Sequence, residues 1–331
     1  YDTQVMPAKD PDRELVFKLH TFSSSLKLRL FNSSSWEHMA GWNMQIQKNA
    51  IGGYSFLLPE YKRFITGAFW LTTFRLDNQL SVTGGIRYDR GRIDITAFED
   101  PYLVEYLHRQ GYEEEVIQAY RWRSYPVDRA YGNYSCSAGV VWTPAAGHLL
   151  KMNVGRSFRL PGGNELASNG VHHGTFRHEK GDVTLSSEQG WQIDASYTLA
   201  YKKMELVVSS FAGWFDNYIY LRPTGEWSVL PHAGQIYQYS GARALFMGGE
   251  INFNMDFLRH FNYRLVGEYV YTYNRDEHTA LSFSPPVSMR NILTWNKKDF
   301  QLYAEFQSIA SQNRIARNED RTSGACLIHL G

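Results

Sequence analysis

Residues 79–89 read QLSVTGGIRYD, and their order is strictly alternating. Leu80, Val82, Gly84, Ile86 and Tyr88 fall on one face of an extended chain. Gln79, Ser81, Thr83, Gly85, Arg87 and Asp89 fall on the other. A period of two over this length predicts a β-strand with one apolar and one polar face. The same pattern recurs in SLKLRLF (25–31), WQIDASYTL (191–199) and NYRLVGEYVYTYN (262–274). The last sets Tyr263, Leu265, Gly267, Tyr269, Tyr271 and Tyr273 against Arg264, Glu268, Thr272 and Asn274.

Composition narrows the class. The chain has 331 residues and a formal net charge of +1, from 34 Lys+Arg against 33 Asp+Glu. That balance gives no basic field for nucleic acid, and no nucleic-acid partner is expected. Cys136 and Cys326 are too few for a disulfide framework or a four-cysteine zinc site. Aromatics reach 15%, which favours strands and also suits membrane-interface belts. Mean hydropathy is −0.41, and no apolar run approaches the ~18–20 residues of a membrane helix. Neither observation excludes a membrane barrel, whose lipid-facing and lumen-facing residues average to a polar mean.

Alternation alone does not say whether the apolar face points into a soluble core or outward into lipid. Three features favour the outward arrangement. Several segments run well past the ~5–6 residues usual in soluble sheets. Apolar faces begin or end on aromatics, as at Tyr88, Trp191, Tyr271, Tyr273 and Trp295, where interfacial girdles sit. Short connections (144–148, 201–203, 296–299) alternate with long ones (98–130 and the opening stretch). About fourteen strands are predicted, near 14–20, 24–32, 36–48, 62–74, 79–97, 130–143, 148–158, 188–200, 204–221, 235–256, 262–275, 287–296, 299–312 and 323–331. They form one domain over residues 1–331, an all-β transmembrane antiparallel barrel. Within the long connection, Leu103, Tyr106 and Leu107 have helical spacing. The abrupt ends at Tyr1 and at GACLIHLG lead us to expect a piece of a longer protein.

Four motifs carry a family resemblance. GIRYD (85–89) resembles a strand of TonB-dependent outer-membrane receptors. From Arg156 onward the order is R-x-F-R-x-P, then E-L-x-x-x-G, then E-x-G-[ND]-x-x-L-x-x-E. These motifs fall on Arg156, Phe158, Arg159 and Pro161; on Glu165, Leu166 and Gly170; and on Glu179, Gly181, Asp182, Leu185 and Glu188. FDNYIYL (215–221) resembles the strand end that follows. The resemblance implies a barrel of about 22 strands around a plug, of which this chain holds roughly the seventh to the twentieth. It implies import of a scarce nutrient: an iron chelate, haem, cobalamin, another metal complex or an oligosaccharide. The implied partners are outer-membrane lipid of a Gram-negative bacterium, a plug domain of the same full-length chain and the TonB complex. No catalysis and no resident cofactor are implied; a metal or chelate enters as substrate.

Individual residues keep competing readings. Arg156, Arg159, Glu165, His172, His173, Arg177 and Glu179 are candidates for substrate contact, while charge-assisted bonds that hold a loop to the wall are the favoured account of Arg156, Arg159 and Glu165. His172, His173 and His178 have suitable chemistry for zinc or copper, and an ordinary loop uses them as backbone-bonded or exposed side chains. Arg87, Asp89, Lys151, Arg264 and Glu268 lie on polar strand faces and are expected to line the lumen. The three carboxylates of YEEEV (112–116) either collect cations or form a solvated loop. Two rival functions remain at this point: a passive porin, and a soluble all-β carbohydrate-binding protein.

Overall fold

The computed structural model describes residues 15–53, 56–231 and 233–331, with only the backbone described at His173. The opening stretch, read from sequence as a long connection, lies outside the described residues up to residue 14. The first four wall strands are β1 (Val16–Leu30), β2 (Trp36–Gly52), β3 (Tyr61–Arg75) and β4 (Leu80–Ile95). A small excursion follows: β5 (Phe98–Glu99), α1 (Pro101–Arg109), α2 (Glu114–Arg121) and β6 (Trp122–Ser124). The wall resumes with β7 (Val127–Trp142) and β8 (His148–Arg159). A second excursion holds α3 (Gly163–Ala167), β9 (Asn169–His172) and β10 (Arg177–Lys180). The wall then runs through β11 (Glu188–Tyr201), β12 (Met204–Trp227), β13 (Gln235–Phe257), β14 (Phe261–Asn274), β15 (Ser288–Lys297), β16 (Phe300–Ile309) and β17 (Ala325–Leu330).

Thirteen of these strands form one continuous sheet in chain order, each pair antiparallel. The two outermost, β1 and β17, each have one neighbour among the described residues. Connections at one end are short: 31–35, 76–79, 143–147, 202–203, 258–260 and 298–299. Left-handed residues tighten them, at Phe31, Lys202, Leu258 and Lys298 and at Gly147. Connections at the other end include the two long excursions at 96–126 and 160–187.

The register settles which side chains share a face, because directly opposed residues on antiparallel strands point the same way. Ile86 opposes Trp70, Trp70 opposes Ala40, and Ala40 opposes Leu28. This face stays open, with Ile86 59% and Trp70 42% exposed. The charged set lies on the reverse. Arg87 opposes Ser135, Val141 opposes Lys151, Lys151 opposes Ser196, Ser196 opposes Ser209, Ser209 opposes Glu250 and Glu250 opposes Glu268. An apolar face left bare while the opposite one gathers charge is the inverse of a soluble sheet and is the arrangement of a transmembrane β-barrel wall.

Some sequence boundaries move. The predicted segments 14–20 and 24–32 are one strand, β1. Ser23 and Ser25 look like a break but oppose Gln45 and Asn43, and so belong to the polar face. β12 continues to Trp227 through two register shifts, past the predicted end at 221. The helix at Leu103 and Leu107 forms with both leucines buried, and Asp100 caps it by accepting from the Tyr102 and Leu103 amides.

Candidate functional site

The ladder between β7 and β8 stops at Cys136–Arg156. Above that rung, β7 pairs only with β4 and β8 only with β11, so the two strands diverge. Arg156 stands in the opening. Its guanidinium stacks 4.1 Å from the Tyr134 ring and donates to the Tyr134 carbonyl, to Asn133 Oδ1 (3.0 Å) and to Gln189 Oε1 (2.6 Å). Asn133 Nδ2 also reaches Gln189 Oε1 at 3.0 Å. Arg156 thus satisfies a backbone carbonyl that has lost its ladder partner.

Three residues further on, Arg159 joins the second excursion to the wall. Its Nη1 donates to both oxygens of Glu165 at 2.9 and 2.7 Å, and its Nη2 donates to Glu188 Oε2 at 3.1 Å. Glu165 Oε2 accepts from the Gly162 amide at the start of α3 (2.7 Å), and Glu188 Oε2 accepts from the Ile219 amide (2.9 Å). Asn217 Nδ2 donates to the carbonyls of Ser186 and Ser187. The motifs beginning at Arg156, Glu165, Glu179 and Phe215 therefore meet at one junction. Their glycines have a steric reason as well. A Cβ on Gly181 would sit 2.4 Å from the Ala167 amide nitrogen, and one on Gly170 would sit 2.4 Å from the Phe56 carbonyl oxygen.

Beneath this junction an apolar cluster joins loop to wall. Leu160, Leu166, Ala167 and Leu185 of the excursion pack with Ile93, Ile95, Val127 and Tyr131. Ile93 and Ile95 continue the face that carries Arg87 and Asp89, by their even spacing along β4. The 160–187 excursion is therefore folded across one end of the charged face.

Next to it, β9 and β10 form a short hairpin, and β10 pairs in parallel with residues 235–238 of β13. His178 is fully buried there. Its Nε2 meets Asn169 Oδ1 at 2.6 Å and its Nδ1 meets Ser228 Oγ at 2.8 Å. Asn169 Nδ2 is committed to the carbonyls of Ala119 and Trp122, which fixes Oδ1 as the acceptor. His178 therefore carries its proton on Nε2, and Nδ1 accepts from the Ser228 hydroxyl. Burial pushes its imidazole well below the ordinary value, aided by the positive charges of Arg123 and Lys180.

The structure gives the surroundings of His172 and His178, two of the three histidines read as candidate metal ligands. Both ring nitrogens of His178 are already engaged, and His172 opposes Arg177 rather than His178 in the hairpin. The His173 side chain lies outside the described part. Among the described residues no group of three His, Cys, Asp or Glu is placed to hold a metal ion. Arg177 lies 5.4 Å from the Tyr237 ring and 4.9 Å from the Phe283 ring. Glu179 is buried and accepts from the Tyr239 hydroxyl at 3.1 Å. The Glu113–Glu115 run opens α2, with Glu114 and Glu115 in its first turn, where carboxylates suit the helix dipole.

On the charged wall, Arg87 Nε donates to Asp89 Oδ2 and its Nη2 to Asn43 Oδ1, both at 2.5 Å. Lys151, Arg264 and Glu268 share that face, and Glu250 directly opposes Glu268. Two carboxylates in direct opposition are destabilising unless a cation joins them. Sequence reasoning assigned no contact to Glu250, Glu188, Asn217, Asn169 and Ser228. Glu188 and Asn217 stand within recognised motifs; nothing local marks the roles of Asn169 and Ser228, whose partners are distant in sequence.

The wall, its two faces and its folded-in loop define the class: an antiparallel transmembrane β-barrel wall with one long loop folded across its charged face. The family model described as TonB dependent receptor-like, beta-barrel, matches residues 8–330, and the chain belongs to that family. The fold is similar to the copper transporter OprC (17% identity, TM-score 0.74, covering 96% of this chain and 48% of that one). It is also similar to the ferric enterobactin receptor PfeA of Pseudomonas aeruginosa (14%, 0.65, 96% and 46%). The hemophore receptor HasR of Serratia marcescens is a third (16%, 0.59, 96% and 60%). The chain spans about half the length of the first two solved structures and somewhat more of the third. No curated protein matches its sequence. The family and its structural neighbours are receptors and transporters, not enzymes.

Proposed function

We propose that the chain is part of the wall of a Gram-negative outer-membrane receptor that binds a scarce small nutrient and imports it with energy delivered through TonB. The cargo classes are an iron chelate, haem, cobalamin, another metal complex or an oligosaccharide. The observation that carries this reading is the 160–187 excursion, folded across the charged face and tied there by Arg159 to Glu165 and Glu188. A loop fixed over the mouth of a lumen shapes a binding surface, whereas free passage calls for an open channel. The charged face then offers Arg87, Asp89, Lys151, Arg264 and Glu268 to a plug domain and to passing solute. The Glu250–Glu268 pair favours a cationic contact from that plug.

The test is uptake by cells that express the complete receptor. Radiolabelled iron chelates, haem, cobalamin and copper are supplied in turn, with and without a working TonB complex. Uptake of one cargo that disappears without TonB is expected. Equal uptake with and without TonB would indicate a passive channel and defeat the proposal.

A further inference from the structure

The apolar face of the wall changes character along β1 to β4. The register of these four strands is unbroken, so side chains in one rung share a face. Leu26, Trp42, Ala68 and Tyr88 form an apolar rung on the face of Ile86 and Trp70. Nearer the connections at 53–60 and 96–126, Phe22, Ile46 and Phe64 align with Arg92. The next rung of that face sets His20 against Lys48, Lys48 against Lys62 and Lys62 against Asp94. Lys18 stands one rung beyond, opposite Ala50, and Arg90 stands one rung below Phe64, opposite Thr66. Lys18, His20, Lys48, Lys62 and Arg90 are all exposed.

These cations are unspent. Arg92 is bonded through Nε and Nη2 to Asp128, which uses up that acid. Glu60, just past the end of β3, accepts from the Ile51 amide at 3.1 Å. Lys18, Lys48, Lys62, Arg90 and Asp94 form no ion pair among the described residues. Two lysines in direct opposition destabilise a sheet, and a cation on the lipid side is costly away from the interface. An anion held on that side relieves both.

The patch is also local, unlike the scattered basic residues of a general membrane interface. The same face of β11, β14 and β16 carries no charged residue. On β1 to β4 themselves, the half nearer the short turns, from Leu28, Ala40, Trp70 and Ile86 onward, has no lysine or arginine on this face. In an outer-membrane barrel the long connections lie on the cell-surface side. The cations therefore meet the leaflet of that side, with an exposed apolar ladder directly beneath them.

We propose that the outward face of β1 to β4 seats one lipid whose headgroup carries two or more phosphates, as lipopolysaccharide does. Lys48, Lys62 and Arg90 take the phosphates, and Phe22, Ile46 and Phe64 take acyl chains. This rests on reading the chain as an outer-membrane wall and goes beyond it, by adding a partner on the side away from the lumen.

The test is native mass spectrometry of the detergent-solubilised full-length receptor. It is titrated with bisphosphorylated lipid A, with the same lipid stripped of its phosphates, and with phosphatidylglycerol. Saturable retention of the bisphosphorylated lipid in preference to the other two is expected. Lys48→Gln combined with Lys62→Gln should weaken it about tenfold or more. Lys48→Arg combined with Lys62→Arg keeps both charges and should retain the lipid. Lys27→Gln combined with Arg29→Gln removes as much charge from the opposite face of β1 and should leave retention unchanged. No saturable retention, equal retention of the three lipids, or equal affinity in the wild type and the Lys48→Gln, Lys62→Gln receptor overturns the proposal. The measurement needs neither cargo nor TonB, so its failure is read separately from failure of the uptake experiment.

Discussion

Arg156 and Tyr134 sit on strands that part company, and the guanidinium of one both stacks on the ring and accepts the donor role toward the backbone carbonyl of the other. In a lipid-facing wall an unpaired carbonyl costs far more than it does in water. Arg156→Ala should therefore lower stability by about 1–3 kcal/mol, and Arg156→Lys should recover little because it lacks the planar fork. Thermal melts of the purified receptor in detergent check this; a Lys variant as stable as wild type would argue against the fork.

Arg159 bridges two acids, and its removal leaves them facing each other uncompensated. Arg159→Gln should make the 160–187 excursion more sensitive to protease, with the first cuts inside that segment. Adding Glu165→Gln to Arg159→Gln should cost less than the sum of the two single changes, with a coupling of about 0.5–3 kcal/mol for groups in direct contact. Strict additivity would mean the pair does not act as a unit.

His178 sets a pH dependence. Its folded-state affinity for protons lies below that of an unfolded histidine, near 6.5. Its contribution is present above that value and is lost progressively as pH falls below about 6.5, because the unfolded loop then binds a proton that the folded loop refuses. Protease sensitivity of the 160–187 excursion should rise between roughly pH 6.5 and 5. His178→Gln should flatten that rise; an unchanged profile would place the titration elsewhere.

Zinc gives a further check on the histidines. With both ring nitrogens bonded inside the fold, His178 has no lone pair to offer. Titrating the receptor with zinc should give the same isotherm for wild type and His178→Gln, and a lost binding event in the variant would restore the metal reading.

The two faces differ in their tolerance of charge. Ile193→Lys, on the face that carries Trp191 and Ala195, should cost about 2–4 kcal/mol if that position lies near the bilayer midplane. Lys151→Ala, on the charged face, should shift the melting temperature much less. Equal effects would contradict the assignment of faces.

Much of the wall was legible in the sequence because it is a local property: Ile86 and Arg87 declare opposite faces by being adjacent. The helix at Leu103 and Leu107 was legible for the same reason. Its companion α2 was missed although Val116, Ile117 and Tyr120 carry a short helical stripe, overshadowed by the adjacent glutamates. β9 and β10 were not legible, since four residues each become strands only because β14 stops opposite Ala244 and leaves the edge of β13 open to β10. The role of Arg159 and Glu165 as charge-assisted ties between loop and wall was legible, and the identity of the remaining partners was not. Arg159 meets Glu188 and Ile219 only after the chain has returned twice to the same end of the wall. His178 looked like a metal ligand for a related reason, because its partner Ser228 stands fifty residues away.

The hairpin of β12 and β13 is the tallest part of the wall, with strands of 24 and 23 residues. At about 3.3 Å per residue it is roughly 80 Å long, and even tilted by ~45° it rises far beyond an apolar belt ~25 Å high. Trp227, 76% exposed, rides near its tip. A large molecule approaching the wall from that end would meet this mast before it reached the apolar belt.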